Sequence, residues 1–292
     1  MTAAVAGIPS PREIHVGGTV VGVYDYGDPA GAPVMVFHGT PACGAGFAWA
    51  DAGARARGLR LIAPDRPGVG LSSRLESWTI ADYPARVAAL ADALDVGQFG
   101  VWGYSGGGPY AVACAALLPD RVPMTAVSAG MGQVGVWATI EESEKTDRQM
   151  LELSTTHPAL ARFLLGASGR GARISPKIAM KSFEKQLNAN DREVVLGLGP
   201  PREVMALFTQ AFLHGAYGVV ADYAAIAREW GFDVETVTTA MAIFHGDADT
   251  MVPLRHGEEL AKRVPHAELT VWPGAGHLGT ITHVEDILDA LV

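Results

Sequence analysis

The sequence is poor in cysteine and in charged residues, and its first 18 residues do not have the pattern of a hydrophobic leader. Two cysteines, Cys43 and Cys114, occur in 292 residues, too few for a disulfide framework. Charged residues make up 18% of the chain and hydrophobic residues 49%, which excludes a disordered protein because disorder needs the opposite balance. Residues 1–18 contain no basic segment followed by an apolar run, so we expect no secretory signal and a cytoplasmic protein with reduced thiols.

Basic residues are also in deficit. Lys and Arg number 22 against 31 Asp and Glu, which gives a formal net charge of −9. Because phosphate repels such a chain and no Lys/Arg stripe offsets the repulsion, no nucleic-acid partner is expected. No phosphate loop, dinucleotide fingerprint or haem-ligand pattern occurs, so no cofactor is expected. The sequence leaves the oligomeric state open, a homo-oligomer included.

One stretch, residues 96–119, contains no charged residue and is long enough to cross a bilayer. Four glycines and Pro109 interrupt its middle. The residues before them have the pattern of a short buried strand, and residues 110–118 have that of a buried helix. We therefore predict a strand, a glycine turn and a helix in a soluble core, and no membrane partner.

Apolar runs typical of buried strands alternate with helical periodicity in both outer thirds of the chain. Such alternation predicts an α/β fold, with a mostly parallel central sheet flanked by helices. The predicted strands cover residues 20–26, 34–38, 59–63, 99–104, 122–128, 240–244 and 268–272. The predicted helices between them cover residues 42–57, 80–94, 109–118, 257–263 and 284–291.

The alternation stops near Gly130, and helical periodicity dominates until about Trp230. The chain therefore divides into a core domain, residues 1–131 and 233–292, and an inserted α-helical cap, residues 132–232. An insertion above the sheet edge would roof a site formed by the strand ends.

Working residues in such sheets gather at the carboxyl ends of strands. The predicted strand 99–104 runs into Gly103-Tyr104-Ser105-Gly106-Gly107, a G-x-S-x-G sequence followed by a helix. Glycines on both sides of the serine allow the sharp turn that lifts a serine oxygen above the sheet. Ser105 is therefore a candidate nucleophile.

A serine needs a base, and the base needs an orienting carboxylate. His277 lies in a glycine-rich loop after the last strand and is the preferred base. Asp247 and Asp249 both follow the strand 240–244, and we prefer Asp249. Six other histidines are expected on the solvated surface: His15, His157, His214, His256, His266 and His283.

These motifs together resemble the α/β-hydrolase superfamily, specifically its serine hydrolases with a helical cap. His38-Gly39-Thr40-Pro41 resembles the family's oxyanion loop, and residues 65–72 resemble its glycine-rich turn after the fourth strand. The resemblance implies a Ser105–His277–Asp249 triad, with the oxyanion held by the N–H groups of Thr40 and Gly106. The resemblance also implies residues that support the oxyanion loop and the nucleophile elbow, which is the turn that carries Ser105. These residues are His38, Gly39, Gly103, Tyr104 and Gly107. For Asp65-Arg66-Pro67 we expect a role in shaping its loop rather than in chemistry.

A metal site built from His245, Asp247 and Asp249 is disfavoured because Gly246 and the following turn break the spacing. Relatives that open epoxides or release halides use aspartate at the elbow, which Ser105 argues against. Proline-releasing peptidases of the superfamily typically carry Trp after the serine, where Gly106 stands here, so that function is weakened but stays open. Carbon–carbon hydrolases and cofactor-free perhydrolases keep the same triad and stay open as well. A non-catalytic ligand-binding protein stays open as well. Such a protein would need none of Ser105, His277 and Asp249, so the presence of all three argues against it.

The cap would select the substrate. Its apolar residues include Trp137, Met150, Leu151, Phe163, Leu164, Leu165, Phe183, Phe208, Phe212 and Tyr217. Most are expected in the cap's own core, with a few facing the pocket. An apolar roof favours a small, uncharged ester with a hydrophobic acyl or alcohol part, so the expected function is carboxylic ester hydrolysis.

Overall fold

A computed structural model of the chain describes residues 8–141 and 143–292. Residues 1–7, which belong to the predicted core domain and to the 1–18 segment considered for a secretory signal, lie outside the described residues. The described chain forms an eight-stranded, mostly parallel sheet flanked by helices, which confirms the predicted fold class. The strands are β1 (Arg12–Val16), β2 (Thr19–Gly27), β3 (Ala32–Phe37), β4 (Leu59–Pro64), β5 (Gly100–Tyr104), β6 (Met124–Ser128), β7 (Ala240–Gly246) and β8 (Ala267–Trp272).

The strands lie in the order β1-β2-β4-β3-β5-β6-β7-β8. The pairs β1–β2 and β2–β4 are antiparallel, and every pair from β4 to β8 is parallel. Phe37 of β3 pairs with Gly103 of β5, so these two strands end side by side. The continuous apolar run of β3 is explained by its central place, because its last four residues are at most 1% exposed.

Twelve α-helices connect and cover these strands in the described part of the chain. They are α1 (Asp51–Ala56), α2 (Tyr83–Ala93), α3 (Gly108–Leu117), α4 (Lys145–Thr156), α5 (Pro158–Ile174), α6 (Pro176–Glu184), α7 (Ala189–Gly197), α8 (Pro201–Gln210), α9 (Tyr217–Ile226), α10 (Arg255–Arg263), α11 (Gly279–Thr282) and α12 (Val284–Asp289). None of them combines the length and the apolar composition that crossing a bilayer requires.

The charge-free stretch 96–119 contains β5, a 3₁₀ turn over Ser105–Gly107 and the whole of α3. Residues Gly108–Ala115 of α3 are all buried, and Pro109 occupies the first turn, where its missing N–H costs nothing. The predicted strand, glycine turn and helix are thus confirmed.

Six helices, α4 to α9, lie between β6 and β7, within the range predicted for the cap. The helices α4 and α9 pack on each other, as do α5 and α8. Eight of the ten residues of α9 are buried, and its Asp222 forms an ion pair with Arg66 of the loop after β4, which joins the inserted helices to the core. The limits of the cap as a separate domain stay a prediction.

Two local elements differ from the sequence-based expectation. Strand β1 was not predicted, because it is an edge hairpin partner with mostly exposed side chains and no apolar run. Residues 42–57 were predicted as one helix, but they form a 3₁₀ turn over Gly44–Ala50 followed by the short α1. A Cβ at Gly44 would lie 2.4 Å from the Ala63 carbonyl oxygen, so this segment packs against β4 more closely than a regular helix of alanines could.

Candidate active site

Ser105 stands at the sharp turn between β5 and α3. Its φ is +55°, in the left-handed region that costs an L-residue roughly 1–2 kcal/mol. The turn is held by close backbone approach, since a Cβ at Gly107 would lie 2.0 Å from the Phe37 carbonyl oxygen and one at Gly103 would lie 2.5 Å from the Gly107 oxygen. The flanking glycines therefore allow the turn, and the turn aims the Ser105 hydroxyl off the end of the sheet.

The structure brings Ser105, His277 and Asp249 into one hydrogen-bonded chain. His277 Nε2 lies 2.9 Å from Ser105 Oγ, and His277 Nδ1 lies 2.8 Å from Asp249 Oδ2. All three residues are buried. With Nδ1–H donated to the carboxylate, Nε2 is left as the acceptor for the serine proton. Tyr104 packs beside this base, with ring centroids 5.2 Å apart.

The choice between the two aspartates is made by the turn after β7. Asp249 Oδ1 accepts hydrogen bonds from the N–H groups of Met251 and Val252, both at 2.9 Å, which leaves Oδ2 for His277. Asp247 is exposed, and its Oδ1 accepts from Gly274 N at 2.6 Å. Asp249 thus contacts the imidazole, whereas Asp247 ties together the loops after β7 and β8.

Burial and neighbouring charges have opposite effects on the pKa values of His277 and Asp249. Burial alone would raise the pKa of Asp249, but His277 and His245 hold that pKa well below its usual range. Burial alone would lower the pKa of His277, but the Asp249 carboxylate raises it above its ordinary value. The Asp249 carboxylate would therefore stabilise a proton on His277.

The loop that carries His277 is held by an inserted helix that the sequence analysis did not connect with the site. Asp191 of α7 accepts hydrogen bonds from His277 N at 2.9 Å and from Leu278 N at 2.7 Å. Asn188, the N-cap of α7, donates to the Ala248 carbonyl at 2.8 Å in the loop that carries Asp249. The N-terminal end of α7 thus holds both the loop that carries His277 and the loop that carries Asp249.

The loop after β3 carries His38, Gly39 and Thr40 beside the elbow. A Cβ at Gly39 would lie 3.2 Å from Ser105 Cβ, and one at Gly106 would lie 2.7 Å from Thr40 Oγ1. Thr40 and Gly106 are therefore neighbours, as the oxyanion prediction requires. The Thr40 N–H donates to no acceptor within the described part of the chain.

A buried ion pair holds the loop after β3 in place. Arg66 donates to Asp222 of α9 through Nε at 2.8 Å and Nη2 at 2.7 Å, and both side chains are at most 1% exposed. Arg66 also donates to the His38 and Gly39 carbonyls and to Thr40 Oγ1. Asp222 accepts further hydrogen bonds from Thr40 Oγ1 and from Tyr110 OH.

This network agrees with a loop-shaping role for Arg66 and adds the partner that the sequence did not reveal. His38 belongs to the same network as a neutral ring, because burial and the neighbouring Arg66 keep its pKa well below the usual value. Its Nδ1 lies 2.8 Å from the Gly39 oxygen, and its Nε2 accepts from Arg66 N.

A cavity of about 740 Å³ opens above Ser105 and His277, between the sheet edge and the inserted helices. Of the ten apolar cap residues considered from the sequence, Met150, Leu165, Phe183 and Phe208 line it. Trp137 instead packs against Trp230, and Phe163 is 65% exposed. Asp147 of α4 and Tyr223 of α9 add polar groups to the lining.

The three residues weighed as a metal site have protein partners instead. His245 Nε2 lies 2.8 Å from the Val252 carbonyl, and Asp249 and Asp247 make the contacts given above. Across residues 8–141 and 143–292, no group of three His, Cys, Asp or Glu side chains is placed to hold a metal ion.

One expectation about the other histidines is wrong. His256 is not on the solvated surface but is 2% exposed. Its Nδ1 accepts from Gly132 N at 2.9 Å, and its Nε2 lies 3.0 Å from the Thr139 oxygen. It joins α10 to the beginning of the inserted segment, a contact between positions more than a hundred residues apart that no local pattern could show.

The fold and the site together define a hydrolase of the α/β class. The chain belongs to the alpha/beta hydrolase fold family, whose model matches residues 32–284. It is 25% identical over 287 residues to a 2-hydroxymuconate semialdehyde hydrolase from Pseudomonas putida, covering 94% of this chain and 90% of that protein.

Solved structures with the same fold include two esterases. A thermophilic esterase from Thermogutta terrifontis superposes with a TM-score of 0.67 at 20% identity, covering 97% of this chain and 96% of that one. An esterase from Exiguobacterium antarcticum superposes with a TM-score of 0.69 at 17% identity, covering 100% and 98% of the two chains.

Proposed function

We propose that this protein is a serine hydrolase that cleaves a carboxylic ester of a small, largely apolar substrate. The observation that carries the proposal is the continuous hydrogen-bonded chain from Ser105 Oγ through His277 to Asp249, at the floor of a cavity large enough for a small molecule. The six inserted helices would act as the roof that selects the substrate.

In the first half-reaction Ser105 Oγ attacks the ester carbonyl while His277 Nε2 takes the hydroxyl proton. Asp249 stabilises the resulting imidazolium, in keeping with the raised pKa of His277. The tetrahedral intermediate then collapses: the carbonyl–alkoxy bond breaks, and His277 gives its proton to the departing alcohol. The acyl group stays on Ser105 as an ester.

In the second half-reaction water replaces the alcohol. His277 removes a proton from the water, which attacks the acyl carbonyl and releases the carboxylic acid and free Ser105. In both halves, the N–H groups of Thr40 and Gly106 would hold the negative oxygen of the intermediate. Each such donor is worth about 3 kcal/mol of transition-state stabilisation in comparable sites.

The cavity lining argues for a substrate without an anionic group. Most lining side chains are apolar, and none of the described lining residues is Lys or Arg. A carboxylate bound there would lose its hydration without gaining a counter-charge, which costs several kcal/mol. An uncharged ester carbonyl carries no such penalty.

Carbon–carbon bond hydrolysis is the second candidate, and one specific observation favours it. The chain matches a 2-hydroxymuconate semialdehyde hydrolase across 90% of that protein's length. The same triad would serve both reactions, so the substrate decides between them.

A serine-directed fluorophosphonate probe tests the catalytic assignment. Labelling is expected in the native protein and absent in Ser105→Ala, with Ser154→Ala as a matched control that removes another buried serine hydroxyl. A folded native protein that takes no label would refute the enzyme proposal and favour a ligand-binding role.

A substrate panel then tests the reaction type. We expect turnover of 4-nitrophenyl esters with an optimum in acyl chain length, because the cavity has a finite apolar volume. Turnover of 2-hydroxymuconate semialdehyde far above that of every ester would overturn the ester assignment. A flat chain-length profile would contradict selection by the inserted helices.

A further inference from the structure

One carboxyl group stands inside the cavity and has no part in the proposed triad. Asp147, in the first turn of α4, lines the cavity together with Ser105 and His277. Its Oδ1 accepts a hydrogen bond from Tyr223 OH at 2.7 Å. Its Oδ2 accepts none from the residues that the structure describes.

The position of the carboxylate is fixed on both sides. Tyr223 is 3% exposed, and its hydroxyl oxygen also lies 3.4 Å from the Thr40 carbonyl oxygen, which ties the pair to the loop beside Ser105. Burial and the Asp147 charge raise the pKa of Tyr223 well above its usual value, so it stays a donor. Glu144 is turned away, because its Oε2 caps the N–H groups of Thr146 and Asp147.

The described part of the cavity gives this carboxylate no permanently charged cationic partner, and the one titratable base in its lining is His277. Asp147 is the one carboxyl group among the described lining residues, and that lining contains no Lys or Arg. Burial raises the pKa of Asp147 to about 6, against the opposing effects of the Tyr223 hydrogen bond and of His277, so above neutral pH the group is charged. A half-buried carboxylate that has no Lys or Arg beside it gains from a ligand that supplies the positive charge.

Aromatic rings surround the same space. Tyr104, Phe183, Phe208 and Tyr223 line the cavity, and aromatic faces attract cations by roughly 0.5–2 kcal/mol. A positively charged nitrogen would therefore gain from the carboxylate and from the rings, whereas a neutral group of the same shape would gain only from apolar contact.

We propose that Asp147 and Tyr223 form a subsite for a cationic nitrogen, so that the substrate is an ester carrying a protonated or quaternary amine. This inference rests on the proposed ester hydrolysis and names its substrate class. The Asp147 carboxylate is the specificity element, and Tyr223 holds it at the cavity wall.

Two pairs of esters, in which a tert-butyl group replaces a trimethylammonium group of nearly equal shape, test the subsite. The acyl-side pair is 4-nitrophenyl 4-(trimethylammonio)butanoate and 4-nitrophenyl 5,5-dimethylhexanoate. The alcohol-side pair is the choline and 3,3-dimethylbutyl esters of butanoic acid. At about pH 8, where Asp147 is ionised, we expect the cationic member of at least one pair to have the higher kcat/KM.

The variant Asp147→Asn keeps the shape of the side chain and removes its charge. It should lower the ratio of kcat/KM for the cationic to the neutral ester by at least about tenfold. Glu152→Gln, an exposed position on the same helix, removes a charge outside the cavity and should leave the ratio unchanged. An unchanged ratio in Asp147→Asn for both pairs would overturn the subsite.

The native protein offers a second measurement if the variant fails to fold. Hexyltrimethylammonium should inhibit hydrolysis of the neutral esters at lower concentration than hexanesulfonate does, and equal or reversed potency would contradict the proposal. Failure of the proposed function looks different: no ester of either pair would be hydrolysed, and Ser105 would take no fluorophosphonate label.

Discussion

The buried pair Arg66–Asp222 joins the inserted helix α9 to the loop after β3 that carries Thr40, and we expect its disruption to have two separable consequences. The variant Asp222→Asn keeps the volume of the side chain but leaves the fully buried Arg66 guanidinium without its counter-charge. The Asp222 carboxylate also accepts from Thr40 Oγ1 and Tyr110 OH, so an amide there must leave at least one donor badly paired.

The expected magnitudes follow from that geometry. Breaking a buried ion pair on one side costs about 3–5 kcal/mol, which for a chain of this length lowers Tm by about 6–10 °C. Thr40 loses the group that orients its side chain, so its N–H should no longer meet the developing oxyanion. We expect kcat to fall about 10- to 100-fold, with a smaller change in KM, because the lost interaction exists only in the transition state.

Three comparisons separate stability from positioning. Asp92→Asn breaks the exposed Arg121–Asp92 pair, 3.0 Å long, and should change stability by less than about 1 kcal/mol. The double variant Arg66→Met/Asp222→Leu removes both buried charges and should recover most of the lost Tm. Its kcat should stay low, because the His38 and Gly39 carbonyls have lost the guanidinium.

Chemical denaturation, thermal melting and steady-state kinetics measure these effects. Native-like melting of Asp222→Asn would refute the ion-pair reasoning. Full recovery of kcat in the double variant would show that the pair stabilises the fold without positioning Thr40.

Three further outcomes are expected. Asp249→Ala should lose nearly all activity while Asp247→Ala keeps most of it, since Asp249 alone of the two contacts His277; the reverse result in ester hydrolysis would reassign the acid. Activity should fall as pH drops through the pKa of His277, which Asp249 raises, because only the neutral ring accepts the serine proton. In a pH–rate profile, Asp249→Asn should shift this acid limb to lower pH; an unmoved limb would contradict the coupling. Ser105→Gly should be inactive yet more stable to denaturant than Ser105→Ala by about 1 kcal/mol, because glycine adopts the positive φ without strain; equal stability would argue against a strained turn.

Short windows of sequence were sufficient for much of the architecture. The buried runs of β3 and β5, the glycines around Ser105 and the helix behind them each follow from interactions within about ten residues. The parallel alternation then required that these strand ends meet at one edge, where the structure places Ser105, Thr40, Asp249 and His277. The small-molecule substrate and the cytoplasmic location stay predictions.

Local patterns failed where side chains are exposed or where the partner is distant. Strand β1 has the exposed side chains of a sheet edge, so no apolar periodicity marks it. His256 has the sequence surroundings of a surface helix, yet it is buried against the start of the inserted segment.

The sequence by itself determined the fold class and predicted the turn at Ser105 and the residue types that the proposed catalysis needs, because turns and strand ends are encoded by neighbouring residues. It favoured Asp249 but left Asp247 as an alternative. Tertiary structure alone brought Asp191 to the His277 loop, Asp222 to Arg66 and Asp147 to the cavity. These three carboxylates come from the inserted helices, and their partners lie up to 182 residues away along the chain. Such contacts depend on how the helices pack over the sheet edge, which no local periodicity specifies.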